Sequence, residues 1–257
     1  MTDQNNNIQE YDKSAIDFSS LALVLIAMSV GMLLAIVVLP FWAPNIALSL
    51  TGIDPKAYWF LSRATAFVAM GLLWISMALG LGITNKLAHV WPGGPTAFAL
   101  HEYTSVLGLA FVLFHALFLL GDHYTNFSLL QLLVPFSAQT YQSFWVGLGQ
   151  TGFYLSLIVT LSFYVRRKIG QKIWRGLHYI TFLSYVGALF HALAIGTDTS
   201  TVAAQWFYWI SSGSLLILFI YRILFKLIPD ETTARSRAVP ALKLADAAVE
   251  IRNEMDK

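Results

Sequence analysis

The chain has 257 residues, of which 57% are hydrophobic and only 12% are charged. Soluble domains average about 25% charged residues, so this composition excludes a water-soluble globule, and its high hydrophobicity excludes disorder. The net charge of +2 does not indicate a nucleic-acid-binding protein. The absence of cysteine excludes disulfides, cysteine-ligated zinc, iron–sulfur clusters and thioether-attached haem.

Six apolar stretches are long enough to cross a bilayer, whose hydrocarbon core of about 30 Å needs roughly 20 helical residues. They cover residues 18–41, 57–83, 97–120, 144–165, 174–195 and 204–228, separated by breaks rich in Pro and Gly. We therefore predict an all-α membrane protein: a six-helix bundle over 18–228 between tails at 1–17 and 229–257. The start of the chain lacks a basic n-region, so we expect the first stretch to be retained as an anchor.

Lys and Arg are distributed unevenly around the six stretches. Fourteen of the sixteen fall on one side when the N-terminus is placed in the cytoplasm, and five of these form the basic loop 166–175. Cytoplasmic loops carry the excess of Lys and Arg, so we predict an N-in, C-in topology in the cell (inner or plasma) membrane. The longest outer loop, roughly 121–143, contains an apolar run, and we expect it to lie on the membrane surface.

The segment Gly147–Gly152 matches the dinucleotide pattern G-x-G-x-x-G. That pattern requires a strand before it and an acidic residue about 20 positions later. Here the match opens an apolar stretch and a basic region follows, so we interpret the glycines as packing positions in a membrane helix. No bound FAD or NAD is predicted in this chain.

Four of the six histidines lie in membrane stretches, where ionisable side chains are costly and usually functional. His101 and His115 are fourteen residues apart on the third stretch, and His178 and His191 are thirteen apart on the fifth. These separations correspond to about 20 Å of helix. The two stretches run in the same direction, so His101 should lie level with His178 and His115 with His191.

Two facing imidazoles at each level suit bis-histidine haem b, whereas zinc would need four ligands per site. We therefore predict two non-covalent haems b between the helices of the third and fifth stretches, with these four histidines as iron ligands. Thirteen residues leave His178 and His191 about 140° apart on an ideal helix. A π-bulge or an overwound turn, which we place at Gly187, would reconcile this angle. His89 and His123 are interpreted as solvated loop residues.

The motifs around these histidines resemble the ferric reductase-like transmembrane family. That family includes the membrane part of NADPH oxidases, ferric reductases and the haem subunit of bacterial methionine sulfoxide reductase systems. The similarity spans roughly 58–199 and rests on the runs Ser62-Arg63-Ala64-Thr65, His101-Glu102-Tyr103, Phe114-His115-Ala116-Leu117, Trp174-Arg175-Gly176-Leu177-His178 and Phe190-His191-Ala192. The resemblance, to the bacterial stand-alone type, implies a six-helix bundle with two b-type haems that moves electrons across the membrane.

Several further residues are candidates for contact with the haems. Arg175 lies one turn from His178 and could meet a propionate, or it could be a positive-inside anchor. An intramembrane Arg63 needs a propionate or carboxylate partner because an unpaired charge there is expensive. We expect Asp122 and Asp198 to face the outer surface and attract cations. We expect Gly108 to allow close packing between the haems, while Phe111, Phe114, Phe182 and Tyr185 are candidate wall residues or simple packing.

Three functions remain open. The first is a dihaem oxidoreductase or haem subunit that takes electrons from a cytoplasmic flavoprotein or other donor and delivers them to an external acceptor. The second is a dihaem cytochrome b that exchanges electrons with membrane quinone. The third is a non-redox proton or metal transporter that uses the same histidines. No side chain is assigned a catalytic role.

Overall fold

The computed structural model describes residues 17–42, 56–87, 90, 92–122, 124–138 and 141–227. Within these ranges every regular element is helical and no strand occurs, so the prediction of an all-α protein is confirmed there. The predicted tails, apart from Asp17, lie outside the described residues, as do His89 and His123.

Eight α-helices follow one another along the described chain. They are α1 (Phe18–Trp42), α2 (Lys56–Thr84), α3 (Gly94–Phe118), α4 (Leu129–Leu133), α5 (Ser143–Ile169), α6 (Gln171–His178), α7 (Ile180–Ile195) and α8 (Val202–Leu227). A 3₁₀ turn, Leu119–Gly121, continues α3. The helices therefore reproduce the six predicted stretches, with the fifth divided into α6 and α7.

Five segments are long and apolar enough to cross a membrane. They are Ala57–Thr84, Gly94–Gly121, Ser143–Ile169, Gln171–Ile195 and Val202–Leu224. Phe18–Gly31, at the start of α1, is a shorter apolar helix. The outward-facing side chains of these helices are large and apolar, as in Trp209 and Ile217, which are 75% and 68% exposed. Such a surface belongs in lipid, and the chain is a multi-pass helical membrane protein.

The interior of the bundle lies where α2, α7 and α8 meet. Met70, Met77 and Leu81 of α2 pack there with Tyr185 and Leu215. Hydrogen bonds between helices supplement this packing: the Trp74 indole donates to Ser214 Oγ at 2.8 Å, and Ser184 Oγ donates to the Gly152 carbonyl at 2.6 Å. Lipid gives little hydrophobic drive for helix association, so close packing and such bonds stabilise the bundle.

The helical chain between α5 and α7 is interrupted at two residues, Gly170 and Tyr179. Gly170 ends α5 and begins α6 with φ of +86°, a left-handed value that favours glycine. The second interruption is at Tyr179, directly after His178, where the Tyr179 carbonyl accepts from Phe182 N in an i to i+3 bond. Thr181 Oγ1 donates to the freed His178 carbonyl at 2.7 Å.

The irregularity that was predicted between His178 and His191 lies at Tyr179 and not at Gly187. Gly187 lies inside the unbroken helix α7 and packs against Leu148, so the irregularity predicted at Gly187 is absent. A 3₁₀ turn advances about 20° more per residue than an α-helix. Three residues in such a turn therefore bring His178 about 60° closer to the face that carries His191.

Candidate functional site

The structure brings the four membrane histidines together as the two predicted pairs. The ring centroids of His101 and His178 lie 5.9 Å apart, and those of His115 and His191 lie 6.1 Å apart. The rings of each pair are steeply inclined, at 71° and 82°. Helix α3 is unbroken from Gly94 to Phe118, so about 21 Å of helix separates the two levels.

Three of the four rings are oriented by backbone carbonyls. His101 Nδ1 donates to Ser76 O at 2.7 Å, His115 Nδ1 to Ser62 O at 2.9 Å, and His191 Nδ1 to Trp145 O at 2.9 Å. A carbonyl only accepts, so Nδ1 must carry the hydrogen and the neutral ring keeps its lone pair on Nε2. An anchored Nδ1 and an available Nε2 are the arrangement typical of metal-ligating histidine.

Two serines of α2 repeat the same contact at both levels. Ser62 and Ser76 are fourteen residues apart on α2, as His115 and His101 are on α3. Ser62 Oγ lies 2.9 Å from His115 Nδ1, and Ser76 Oγ lies 3.2 Å from His101 Nδ1. Both serines are buried. Sequence analysis missed Ser76 and the role of Ser62, although the equal spacing of serines and histidines on two consecutive helices was a readable signal.

Two glycines provide the space for the rings. A Cβ atom on Gly149 would lie 2.5 Å from His191 Nδ1, and one on Gly80 would lie 3.2 Å from His101 Cε1. Gly149 belongs to the segment Gly147–Gly152. The other two glycines of that pattern contact Phe136 and the Ser184 carbonyl. The interpretation of these glycines as packing positions is therefore confirmed, and one of them packs against a site histidine.

His178 differs from the other three histidines. Its ring has no hydrogen-bond partner among the described residues, and it packs instead on the Trp174 indole, with centroids 5.1 Å apart. Trp174 Nε1 is buried and has no hydrogen-bond partner in the described part of the chain. His178 also ends the eight-residue helix α6, next to the turn at Tyr179. The His101–His178 pair is thus held less firmly than the His115–His191 pair.

Arg63 has the carboxylate partner that its position requires. Its guanidinium forms an ion pair with Asp198, and Nε donates to Asp198 Oδ2 at 2.7 Å. Arg63 also lies over the Phe60 ring. The expectation that Asp198 attracts external cations is therefore wrong, because its charge is compensated by Arg63. Contact between Arg63 and a haem propionate stays a prediction.

Arg175 is exposed, and its Nε donates to the Gln171 carbonyl of its own helix at 3.4 Å. Its contact with a propionate stays a prediction. Arg166 lies 3.8 Å over the Phe163 ring and donates to the Phe163 carbonyl. These side chains lie at the end of the bundle that contains His101 and His178, because α6 joins the basic loop to His178.

Other candidate residues have roles different from those expected. Asp122 is buried, and its Oδ2 accepts from Thr125 N and Oγ1, so it shapes the loop after α3 and does not face the solvent. Gly108 faces Leu72 and Leu73 of α2, so its small size serves helix packing rather than contact between haems. Phe182 and Tyr185 belong to the apolar interior, as simple packing residues. Phe111 and Phe114 contact each other edge to face.

The spacing of the rings in each histidine pair fits two ligands of one haem iron. Metal–imidazole bonds of about 2 Å place the ring centroids of two ligands on opposite sides of one iron about 6 Å apart, and both observed distances match this value. Among the described residues no group of three or more His, Asp or Glu side chains could hold a bare metal ion. Two imidazoles per level are the complete protein ligand set of a bis-histidine haem.

Comparison with known protein families, curated proteins and solved structures finds no match for this chain.

Proposed function

We propose that this protein transfers electrons across the membrane through two b-type haems, from a cytoplasmic donor to an acceptor at the outer face. The proposal includes the sixth span in α1, the N-in, C-in topology in the cell membrane, and the resemblance to the ferric reductase-like transmembrane family. The observation that carries it is the pairing of four membrane histidines at two levels, each with centroids near 6 Å.

The anchoring of the rings supports haem ligation over packing. A histidine used only for packing needs its polar atoms satisfied, but it needs no second histidine facing it at a metal–ligand spacing. Here the carbonyls of Ser62, Ser76 and Trp145 hold three rings in one tautomer. This arrangement leaves an Nε2 lone pair for a metal at both levels.

The ligand count supports haem over a transported metal ion. Zinc and similar ions take four protein ligands in closed sites, whereas each level here offers two imidazoles, and no larger group of ligand side chains occurs in the described residues. A porphyrin supplies the other four nitrogens itself.

Haem b supplies one-electron redox chemistry when bound. The residues of this chain hold the imidazoles and balance charge. His101 and His178 would hold one haem, and His115 and His191 the other. The ion pair between Arg63 and Asp198 lies near the second pair and keeps an intramembrane charge compensated.

We further propose that electrons come from a separate cytoplasmic flavoprotein that docks at the basic loop. Arg166, Arg167, Lys168, Lys172 and Arg175 concentrate positive charge beside the His101–His178 pair. An acidic partner surface would be steered to this end, with strong dependence on salt because charges are screened within about 8 Å at physiological ionic strength. External acceptors and membrane quinone are the remaining candidate partners.

Deletion of single ligands tests the proposal and its pairing. We expect His101→Ala and His178→Ala to remove the same haem signal, and His115→Ala and His191→Ala to remove the other, as measured by the optical and EPR spectra of the purified variants. His101→Ala and His191→Ala with the same spectral loss would contradict the pairing. Reduction of the wild-type haems by a flavoprotein, but not by added quinol, would favour the flavoprotein over the quinone function.

A further inference from the structure

The segment between α3 and α5 contains an apolar surface that no other described part of the chain covers. Five of its large side chains are 44% to 69% exposed: Leu129, Leu130, Leu133, Val134 and Phe136. From Tyr124 to Val165 the chain carries no Asp, Glu, Lys or Arg. A loop in water would rarely present so large an apolar surface without charge.

The contacts of this segment with α5 show how deep it lies in the membrane. Gln150 Nε2 donates to Gln131 O at 2.7 Å and to Leu132 O at 2.8 Å, and Tyr154 Oη donates to Leu133 O. Gln150 lies about 10 Å, and Tyr154 about 16 Å, along α5 from Ser143. The 27 residues of α5 span about 40 Å, so a hydrocarbon core of about 30 Å centred on it begins about 5 Å from Ser143. The C-terminal end of α4 therefore lies inside the hydrocarbon core of the membrane.

Five backbone carbonyls of the segment accept hydrogen bonds from side chains of the protein. Tyr154 and Gln150 cover the last carbonyls of α4, Ser137 Oγ donates to Val134 O at 2.7 Å, and Ser143 Oγ donates to Phe136 O at 2.9 Å. At its N-terminus, Ser128 and Gln131 form a reciprocal capping box. Non-helical backbone tolerates membrane depth only when its polar groups are paired within the protein. A loop in water has no such requirement.

The segment packs on one face of α5. The Phe136 ring lies against Gly147, where a Cβ atom would clash with it. Phe136 itself adopts a left-handed backbone conformation, with φ of +63°. Gly149 and Gly152, on the opposite face, contact His191 and Ser184. The segment thus occupies the place of a neighbouring helix on the side of α5 that faces away from the histidines.

We propose that residues 128–136 form a re-entrant segment inserted into the leaflet at the Ser143 end of α5, with its exposed leucines in contact with phospholipid acyl chains. The partner is lipid, because the uncovered side chains lie beside a spanning helix at the level of the hydrocarbon core, and the backbone carbonyls from Gln131 to Val134 are paired within the protein. A protein partner in water would instead meet a polar rim. The inserted segment is independent of any cofactor.

The absence of cysteine allows a direct test by site-directed spin labelling. Leu130→Cys and Leu133→Cys would be labelled with a nitroxide in phosphatidylcholine–phosphatidylglycerol vesicles. Collision rates with oxygen, which partitions into lipid, and with a water-soluble nickel chelate would be measured by EPR. Ile217→Cys, on the exposed face of α8, serves as the lipid control, and Lys172→Cys, in the basic loop, as the water control.

We expect both labels in α4 to match the Ile217 label, with oxygen collisions dominant. Nickel collisions at the level of the Lys172 label would overturn the proposal. A second variant tests the contacts that hold the segment: Gln150→Leu should raise the nickel accessibility of the Leu130 label several-fold. Thr151→Val, whose parent hydroxyl bonds only the Gly147 carbonyl of its own helix, should leave it unchanged. Equal accessibility in Gln150→Leu and Thr151→Val would contradict the proposed role of Gln150.

Discussion

Gly149 faces the ring of His191 so closely that a Cβ atom at position 149 would lie 2.5 Å from His191 Nδ1. That nitrogen donates to the Trp145 carbonyl at 2.9 Å. The ring and the helix α5 that positions it therefore depend on the absence of a side chain at residue 149. This contact connects a glycine pattern of the sequence with the His115–His191 pair.

We expect Gly149→Ala to displace the His191 ring and weaken haem retention at the His115–His191 pair by about tenfold or more. Gly213→Ala is the matched control, since a Cβ atom there would meet nothing within 4 Å. Alanine is favoured over glycine in a helix by up to about 1 kcal/mol, so the control should not lose stability. The measurement is haem content per chain together with thermal unfolding. Equal haem content in both variants would contradict the role of Gly149.

Ser62 and Ser76 provide a second test at the level of single pairs. Ser→Ala keeps the carbonyl that accepts from Nδ1 but removes the hydroxyl beside it. Loss of such a supporting group costs about 10-fold to 100-fold in metal affinity. We therefore expect Ser62→Ala to weaken only the haem held by His115, and Ser76→Ala only the haem held by His101.

The readout for these serine variants is the low-spin EPR signal of each haem during titration with apo-myoglobin as a haem acceptor. Ser211→Ala is the control, because its parent hydroxyl is also buried but bonds only the Tyr208 carbonyl of its own helix. If Ser62→Ala and Ser76→Ala changed the same signal, the arrangement of the two levels along α2 and α3 would be wrong.

The ion pair between Arg63 and Asp198 predicts a non-additive loss of stability. Each single variant, Arg63→Met or Asp198→Asn, leaves one intramembrane charge without its partner, whereas the double variant leaves neither. We expect a coupling free energy of about 0.5–3 kcal/mol in a double-mutant cycle. The free energy of unfolding would be measured in mixed micelles with increasing denaturing detergent. Strictly additive losses would mean that the two side chains do not interact.

Asp17 predicts a pH dependence at the start of α1. Its carboxylate accepts from Ser19 Oγ at 2.6 Å and Ser20 N at 3.0 Å, and these hydrogen bonds lower the pKa of Asp17 to about 2. Because the pKa of Asp17 is lower in the folded protein than its unfolded-state value of about 4, the ionised carboxylate stabilises the helix end fully at pH values above about 4. This contribution is lost as the pH falls through about 2. Asp17→Ala should therefore speed amide exchange at Ser20 relative to wild type at pH 6. Identical rates in the two proteins at pH 6 would refute the cap.

Much of the fold was predictable because apolar length and Pro or Gly breaks are local signals. The helices at 56–84 and 143–169 begin and end within a few residues of the predicted stretches. The levels of the histidines also followed from spacing on parallel helices. The turn at Tyr179 was not predictable, because it depends on where the His178 carbonyl finds Thr181 Oγ1, and Gly187 offered a more obvious breaker.

The anchors of the histidines were less accessible to sequence analysis. The carbonyls of Ser62, Ser76 and Trp145 lie 53, 25 and 46 residues in sequence from the histidines that they contact. Any residue type carries a carbonyl, so the sequence does not mark these positions. The need of Arg63 for a partner is predictable from its chemical type, but Asp198 as that partner is not, because a loop carboxylate is usually solvated.

The central claim is that each chain holds two haems b, and the pyridine haemochrome spectrum of the purified, folded protein tests it most directly. The arrangement of His101, His115, His178 and His191 predicts two haems b per chain, both low-spin. A folded protein that stays colourless after expression with ample haem would contradict the electron-transfer function. The four histidines would then serve helix packing or transport.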